Sequence, residues 1–226
     1  MGAIHTCTGV RDGENQRMII DRLKSSRLIP VIVLNDANDA VPLCRALKAG
    51  GLDVAEFTFR TAAAAESIRR VRNDFPEFVV GAGTVTTIEE VRAAKEAGAQ
   101  FAVAPGCNPV ILKAAVDAGL PFFPGVATPS EVEQALQAGC RILKFFPASQ
   151  AGGPEMLKTL NSVYGHRGVQ YIPTGGIGET NLAAYLGTPG VLAAGGSWMV
   201  PSSALKEKNW AQITEATRKA VELAKR

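Results

Sequence analysis

The sequence predicts an α/β protein: a single (β/α)8 barrel with an extra helix at its N-terminus. Eight short apolar runs recur at intervals of about 20 to 28 residues along the 226-residue chain, as strands buried on both faces should. Segments with helical spacing separate these runs, and polar residues follow nearly every run. In a barrel those strand ends converge on one mouth, whereas in an open doubly wound sheet, the alternative fold, they would spread along an edge.

The chain begins with a segment that precedes the first predicted strand. We expect residues 1–14 to form a flexible leader and residues 15–226 to form one catalytic barrel domain. Within residues 15–27, Met18, Ile19 and Leu23 predict a helix that closes the bottom of the barrel. The eight predicted strands lie at residues 29–34, 53–59, 78–83, 100–105, 120–125, 141–147, 169–176 and 191–196.

The predicted helices between the strands have recognisable starts and ends. Thr87 with Glu90, and Thr128 with Glu131, have the spacing of capping boxes, in which two side chains satisfy amide groups of the first helical turn. Four helical segments close on an Ala-Gly dipeptide, and glycine can take the left-handed conformation that ends a helix. These dipeptides lie at residues 49–50, 97–98, 118–119 and 138–139.

Composition and charge exclude several classes of protein. The chain is 46% hydrophobic and 20% charged, which provides a sizeable core and argues against disorder. Its net charge of +3 is small and no Lys/Arg cluster alternates with aromatic residues, so we expect no nucleic-acid partner. No apolar run is long enough to cross a membrane, so we expect no membrane partner. The first residues lack a basic start followed by an apolar core, so we expect no signal peptide and a cytoplasmic protein.

The second predicted strand places a carboxylate inside the barrel. Because side chains alternate along a strand, Phe57 and Phe59 face the helices and Glu56 points inward, with Arg60 just beyond it at the mouth. An acid and a base near a strand end can simply be a structural pair. A carboxylate in the middle of a buried strand, however, is costly unless it has a purpose.

A lysine interrupts the sixth predicted strand. Lys144 lies between Leu143 and Phe145 in the run RILKFFP. Burial disfavours the charged form of an amine, and a neutral amine is a nucleophile that typically forms a Schiff base with a carbonyl group. The alternative is a lysine whose stem is buried and whose ammonium group reaches solvent. The strand alone leaves both interpretations open.

The last two predicted strands end in glycine pairs. Gly175 and Gly176 end the seventh strand, and Gly195 and Gly196 end the eighth, with Ser197 directly after them. Paired glycines let backbone N–H groups approach an anion, and barrels often bind phosphate with these two loops. Glycine pairs also occur simply as turns. Other candidate residues at strand ends are Thr84, Pro105 and Thr174.

Seven motifs, in order, resemble those of the class I aldolases that cleave 2-keto-3-deoxy-6-phosphogluconate (KDPG), a family shared with 4-hydroxy-2-oxoglutarate (KHG) aldolase. The motifs are IPVIV, EFTFRT, VGAGTV, APG, KFFPA, PTGGI and GGSW, spread over residues 29–201. The resemblance implies a TIM barrel that is usually assembled as a homotrimer and needs no metal or other cofactor. No His, Cys or carboxylate group in the sequence has metal-ligand spacing, which agrees with that expectation.

The resemblance also implies a role for each matching residue. Lys144 matches the family's Schiff-base lysine, and Glu56 matches its proton-shuttling glutamate. The substrate-binding candidates are Arg60, Thr84 and Thr174 around the pyruvyl carboxylate, Pro105 in the APG motif, and Gly175, Gly176, Gly196 and Ser197 at the phosphate end.

The activity implied is that of an aldehyde-lyase of the Entner–Doudoroff pathway, which cleaves KDPG to pyruvate and glyceraldehyde 3-phosphate. One alternative is a sister pyruvate aldolase that acts mainly on KHG, on an epimeric phosphosugar acid, or on oxaloacetate by decarboxylation. A more remote alternative is a barrel that binds a phosphorylated metabolite without turning it over.

Overall fold

The computed structural model describes residues 13–225. Strands and helices alternate along the chain, and no helix in this range is long and apolar enough to span a bilayer. The strand segments are β1 (Leu28–Ile32), β2 (Val54–Thr58), β3 (Val79–Gly83), β4 (Phe101–Val103), β5 (Phe122–Phe123), β6 (Gly125–Val126), β7 (Ile142–Phe145), β8 (Gln170–Pro173) and β9 (Ala194–Gly196). The helices are α1 (Gly13–Ser26), α2 (Ala40–Ala49), α3 (Ala64–Asp74), α4 (Ile88–Glu96), α5 (Pro109–Asp117), α6 (Pro129–Gln137), α7 (Gly153–Tyr164), α8 (Leu182–Leu186), α9 (Ser202–Lys206) and α10 (Trp210–Ala224).

The strands close into a barrel of eight. One sheet has the order β5-β4-β3-β2-β1-β9 and a second has the order β6-β7-β8, with parallel pairing throughout. β5 and β6 are two parts of one barrel strand, because only Pro124 separates them, and its carbonyl accepts a hydrogen bond from the Lys144 amide at 2.8 Å. At the other junction, Thr174 pairs with Gly195 and so joins the end of β8 to β9. The predicted (β/α)8 barrel is therefore confirmed, and the open sheet is excluded.

The barrel has an inner and an outer apolar core, because side chains alternate along each strand. The inner core includes Phe101 and Phe123, whose rings stack with their centroids 5.6 Å apart. The outer core lies between the strands and the surrounding helices, and it includes Phe57. The alternation predicted for β2 is confirmed, since Phe57 packs in the outer core while its neighbour Glu56 faces the interior.

Helix α1 closes the bottom of the barrel. Ile19, Ile20 and Leu23 belong to the inner core together with the first residues of β2 and β3, so the predicted N-terminal helix is confirmed. Met18, predicted to face the barrel, is instead 54% exposed, and Ile20 is the residue that packs inward. The predicted leader falls outside the described residues except for its last two positions, which belong to α1.

The helix ends follow the predicted signals with one change. Both capping boxes are present, with Thr87 and Thr128 accepting from the amides of Glu90 and Glu131. Three of the four Ala-Gly glycines have positive φ, but Gly50 is helical, with φ −81°, and the following glycine takes the left-handed conformation. Gly50 is required for a different reason, because a Cβ atom there would overlap Thr217 of α10.

Candidate active site

Lys144 and Glu56 meet inside the barrel. Lys144 Nζ lies 3.1 Å from Glu56 Oε1, and the two side chains are only 7% and 3% exposed. Their strands, β7 and β2, face each other across the closed barrel, so the contact spans its interior. The free-energy cost of removing two charges from water offsets much of their mutual attraction. A buried ion pair therefore does not by itself indicate that the pair stabilises the fold. A buried amine and carboxylate in contact within a barrel mark a candidate functional site.

The glycines of β3 make room for Glu56. A Cβ atom on Gly83 would overlap the Glu56 carboxylate, and one on Gly81 would overlap the ring of Phe101. β3 pairs with β2 so that Gly83 is the partner of Thr58 and Gly81 is the partner of Glu56. Both glycines belong to the VGAGTV motif, but neither was predicted to be a site residue. The signal was present, since glycine inside a strand often marks a close approach by another group.

An aromatic ring lies beside the lysine. Lys144 Nζ is 5.7 Å from the centroid of Phe146, within the range of a cation–π contact. Phe146 also lines the cavity at the barrel mouth. Sequence reasoning did not select Phe146, although it lies two residues after Lys144 and therefore projects to the same side of the chain.

A cavity of about 550 Å³ at the carboxyl ends of the strands brings together most of the predicted binding residues. Arg60 is exposed there, and its guanidinium makes no ion pair within the part of the chain that the structure describes. Thr174 is buried at the end of β8. The predicted residues that line the cavity are Arg60, Thr174, Gly175, Gly176, Gly196 and Ser197.

Two predicted binding residues lie outside this cavity. Thr84 follows β3, half-buried, with a φ of +57° that is unusual for a β-branched residue. Pro105 is exposed and lines a neighbouring cavity of about 330 Å³ that also contains Cys107 and Asn108. Burial raises the pKa of the Cys107 thiol to about 11, so this cysteine is a poor nucleophile near neutral pH.

The glycines at the mouth are fixed by their neighbours. Gly175 and Gly176 have φ values of +102° and +73°, which favour glycine. A Cβ atom on Gly196 would overlap the indole ring of Trp198, so this glycine allows the tryptophan to pack against the strand end. These positions therefore have structural reasons to be glycine, and Gly175 and Gly176 also leave the backbone at the cavity surface accessible.

The described residues offer no alternative metal centre. Within residues 13–225, no three His, Cys, Asp or Glu side chains lie close enough together to hold a metal ion. The candidate site residues provide an amine from Lys144, a carboxylate from Glu56, a guanidinium from Arg60, and the hydroxyl groups of threonine and serine residues.

Fold and site together define a class of protein: a (β/α)8 barrel with an amine held next to a carboxylate in its interior, as a Schiff-base enzyme requires. Residues 19–216 match the family model for KDPG and KHG aldolase. The chain belongs to this family of carbon–carbon lyases.

Individual relatives agree with the family match. The chain is 43% identical over 209 residues to the 2-dehydro-3-deoxy-phosphogluconate aldolase of Haemophilus influenzae. The alignment covers 92% of this chain and 98% of the relative. It is 42% identical to the KDPG aldolase of Legionella pneumophila, solved with pyruvate captured as a covalent carbinolamine, with a TM-score of 0.84 and coverage of 88% and 96%. The KDPG aldolase of Zymomonas mobilis with 3-phosphoglycerate is 40% identical, with a TM-score of 0.83 and coverage of 91% and 95%.

Proposed function

We propose that this protein is a class I aldolase that cleaves KDPG to pyruvate and glyceraldehyde 3-phosphate. The observation that carries the proposal is the 3.1 Å contact between Lys144 Nζ and Glu56 Oε1 inside the barrel. The carbinolamine captured in the Legionella relative supports it, because a carbinolamine is the first covalent adduct between an amine and a ketone.

Lys144 is the nucleophile. Its amine attacks the C2 ketone of the substrate to form the carbinolamine, which loses water to give an iminium ion. The iminium withdraws electrons from the bond between C3 and C4, and this bond breaks. The apolar walls around β7 exclude water from the amine, and the ring of Phe146 stabilises positive charge at the nitrogen.

Glu56 moves the protons that the reaction requires. As a hydrogen-bond partner of Lys144 Nζ, it lies beside the reacting nitrogen and assists the loss of water from the carbinolamine. It then accepts the proton of the C4 hydroxyl as the C3–C4 bond breaks, which releases the aldehyde. The remaining enamine takes up a proton at C3 and is hydrolysed to pyruvate and free lysine.

The pyruvyl carboxylate binds at the mouth next to the lysine. Arg60 lines the cavity with a guanidinium that makes no ion pair among residues 13–225, so it can hold a carboxylate through two parallel hydrogen bonds. The hydroxyl groups of Thr84 and Thr174 assist, and Pro105 contributes to the wall on the side of β4. Neither Thr84 nor Pro105 lines the Arg60 cavity, so their roles rest on the family resemblance alone.

The phosphate binds at the part of the cavity wall that Gly175, Gly176, Gly196 and Ser197 line. Gly175 and Gly176 present backbone without a side chain at the cavity wall, and Ser197 adds a hydroxyl group, which suits phosphate binding by the last two loops of a barrel. The 3-phosphoglycerate held by the Zymomonas relative is a phosphorylated acid of similar chemistry.

Cleavage of KHG is the second candidate, because the matching family model covers both activities. KHG shares the pyruvyl half of the substrate and would use the same lysine, glutamate and arginine. The glycine-lined end of the cavity favours the phosphorylated substrate. The ratio of kcat/KM for KDPG to kcat/KM for KHG decides between the two.

Borohydride reduction in the presence of pyruvate tests the proposed chemistry. The wild-type protein should gain the mass of one reduced pyruvate adduct on Lys144. Lys144→Met should gain none and lose KDPG cleavage, because methionine fills a similar volume without an amine. Lys113→Met, which changes a 76% exposed lysine side chain, should behave as wild type. An adduct on another lysine, or turnover by folded Lys144→Met, contradicts the assignment.

We also propose that residues 15–226 act as one catalytic domain, and that the protein is a homotrimer in the cytoplasm. These proposals rest on the family resemblance. Light scattering of the purified protein checks the trimer, since a molecular mass near three times 23.8 kDa is expected.

A further inference from the structure

The loop that follows β8 is held by side chains that lie outside the cavity. The Gly176 carbonyl accepts two hydrogen bonds, one from Ser149 Oγ and one from Asn181 Nδ2, each at 2.9 Å. Two further bonds of 3.0 and 2.9 Å fix the same loop, from the Ser149 amide to the Gly175 carbonyl and from the Gly178 amide to Asn181 Oδ1. The loop is therefore clamped from two directions.

The clamp determines where the neighbouring amide points. In a trans peptide the carbonyl and the following N–H lie on opposite sides, so fixing the Gly176 carbonyl also directs the Ile177 N–H away from Ser149 and Asn181. Gly176 and Ile177 both line the cavity, whereas Ser149 and Asn181 do not. Within the described residues, neither the Gly176 amide nor the Ile177 amide donates a hydrogen bond, so both donors are available to a ligand.

We propose that Ser149 and Asn181 are positioning residues that set the preference for a phosphorylated substrate. They hold the Gly176–Ile177 peptide so that its one donor, the Ile177 N–H, faces the phosphate group, and they touch no substrate atom themselves. Donors that are oriented in advance bind an anion more tightly than donors that must first be ordered. The proposal rests on the proposed function for the identity of the substrate, but the geometry of the clamp is independent of the reaction.

A glycine substitution would test this loop poorly. At Gly176 the positive φ strains any side chain, and a Cβ atom would lie 2.6 Å from the Ser149 Cβ. Such a variant would distort the loop and the clamp together. Removing the donors from outside the cavity leaves every cavity-lining residue unchanged, so it is the sharper experiment.

The experiment compares the Ser149→Ala/Asn181→Ala double variant with Tyr185→Phe. Tyr185 is the matched control, because its hydroxyl lies 3.2 Å from Ser149 Oγ but makes no bond to Gly176. The double variant should bind 3-phosphoglycerate about tenfold more weakly and show a similar rise in KM for KDPG, as expected for two lost neutral hydrogen bonds. Its kcat, and its rate of borohydride trapping with pyruvate, should stay within about twofold of wild type. Tyr185→Phe should match wild type in all four measurements.

Three outcomes overturn the proposal, given circular dichroism that shows folded variants. The first is an unchanged affinity of the double variant for 3-phosphoglycerate. The second is a drop in the double variant's rate of pyruvate trapping as large as its drop in affinity for 3-phosphoglycerate. The third is a drop in the affinity of Tyr185→Phe for 3-phosphoglycerate as large as that of the double variant. Failure of the proposed function is distinguishable from these outcomes. A wild-type protein that does not cleave KDPG refutes the function, while the binding of 3-phosphoglycerate still tests the clamp.

Discussion

Gly83 determines where the Glu56 carboxylate can lie. The carboxylate occupies the space that any side chain at position 83 would fill, and it reaches Lys144 from that position. The φ of Gly83 is not in the left-handed region, so an alanine there would be compatible with the strand backbone. The requirement for glycine at this position is therefore a requirement of the neighbouring carboxylate.

Gly83→Ala should displace Glu56 and reduce kcat for KDPG cleavage by at least about 100-fold, the lower range of what a positioned acid–base group supplies. Steady-state kinetics measures this loss. Gly106→Ala is the control, because a Cβ atom there meets nothing within 4 Å, and it should retain near-normal kcat. Normal kcat in folded Gly83→Ala would mean that the observed position of Glu56 is not needed for turnover.

The individual site residues were predictable from the sequence to different degrees. Alternation along a strand placed Glu56 inside the barrel, and an interrupted apolar run singled out Lys144. Their contact was not predictable from local pattern, because the two residues are 88 positions apart and meet only when the barrel closes. The cation–π partner Phe146 was not predicted, because an aromatic residue at the end of an apolar strand cannot be distinguished by sequence pattern from an aromatic residue of the hydrophobic core.

At the scale of elements, α6 shows how one glutamate fixes a helix start. Burial tends to raise the pKa of Glu131, but hydrogen bonds from the Ala127 and Thr128 amides and the Thr128 hydroxyl outweigh it and hold the pKa below its usual value. A group whose pKa is lowered by folding stabilises the folded state above its unfolded pKa, and that contribution is lost as the pH falls through the folded value.

Glu131→Gln should therefore lower the melting temperature at pH 7, and the difference from wild type should shrink as the pH falls below about 4.5, the usual pKa of glutamate. Thermal unfolding between pH 3 and pH 7 measures the difference. Glu89→Gln is the control, because it removes a charge from the first turn of α4 at a position outside the capping box. Its effect on the melting temperature shows how much the loss of a first-turn charge costs without a capping-box contact. A difference that stays constant across this range would contradict the role of the charge.

The bounds of the elements were predictable where a side chain signals them. Thr and Glu at capping-box spacing marked the starts of α4 and α6 correctly. α2 ends at the predicted Ala49-Gly50 dipeptide, but Gly51 rather than Gly50 takes the left-handed conformation. The close packing of Gly50 against Thr217 was not predictable from local pattern, because Thr217 lies on a helix more than 150 residues away. The division of one barrel strand into β5 and β6 follows from Pro124, which has no amide hydrogen for the sheet.

At the scale of the whole molecule, the inner core is continuous with α1. Leu23 is fully buried and packs with the inner core, whereas Met18 on the same helix is more than half exposed. The strands of a barrel leave an apolar opening at their amino ends, and α1 covers it. The stability of the barrel should therefore depend on this helix, although it lies at the end opposite to the active site.

Leu23→Ala should lower the free energy of unfolding by about 2–5 kcal/mol, the usual range for a buried leucine. Met18→Ala, on the exposed face of the same helix, should change it by no more than about 0.5 kcal/mol. Urea denaturation followed by circular dichroism measures both values. Equal effects of the two substitutions would show that α1 does not seal the barrel.

The closure of the barrel across β2 and β7 gives a bound substrate a second role. Between β4 and β5 the chain divides into two halves of four strands. The first half contributes Glu56 and Arg60, and the second contributes Lys144 and the glycines proposed to bind phosphate. A substrate held at both its carboxylate and its phosphate therefore connects the halves non-covalently. A pyruvyl adduct on Lys144 that also contacts Arg60 is bonded covalently to one half and held by hydrogen bonds to the other. Because such a ligand binds only the closed barrel, it stabilises the fold by a free energy that grows with the logarithm of one plus the ratio of its concentration to Kd.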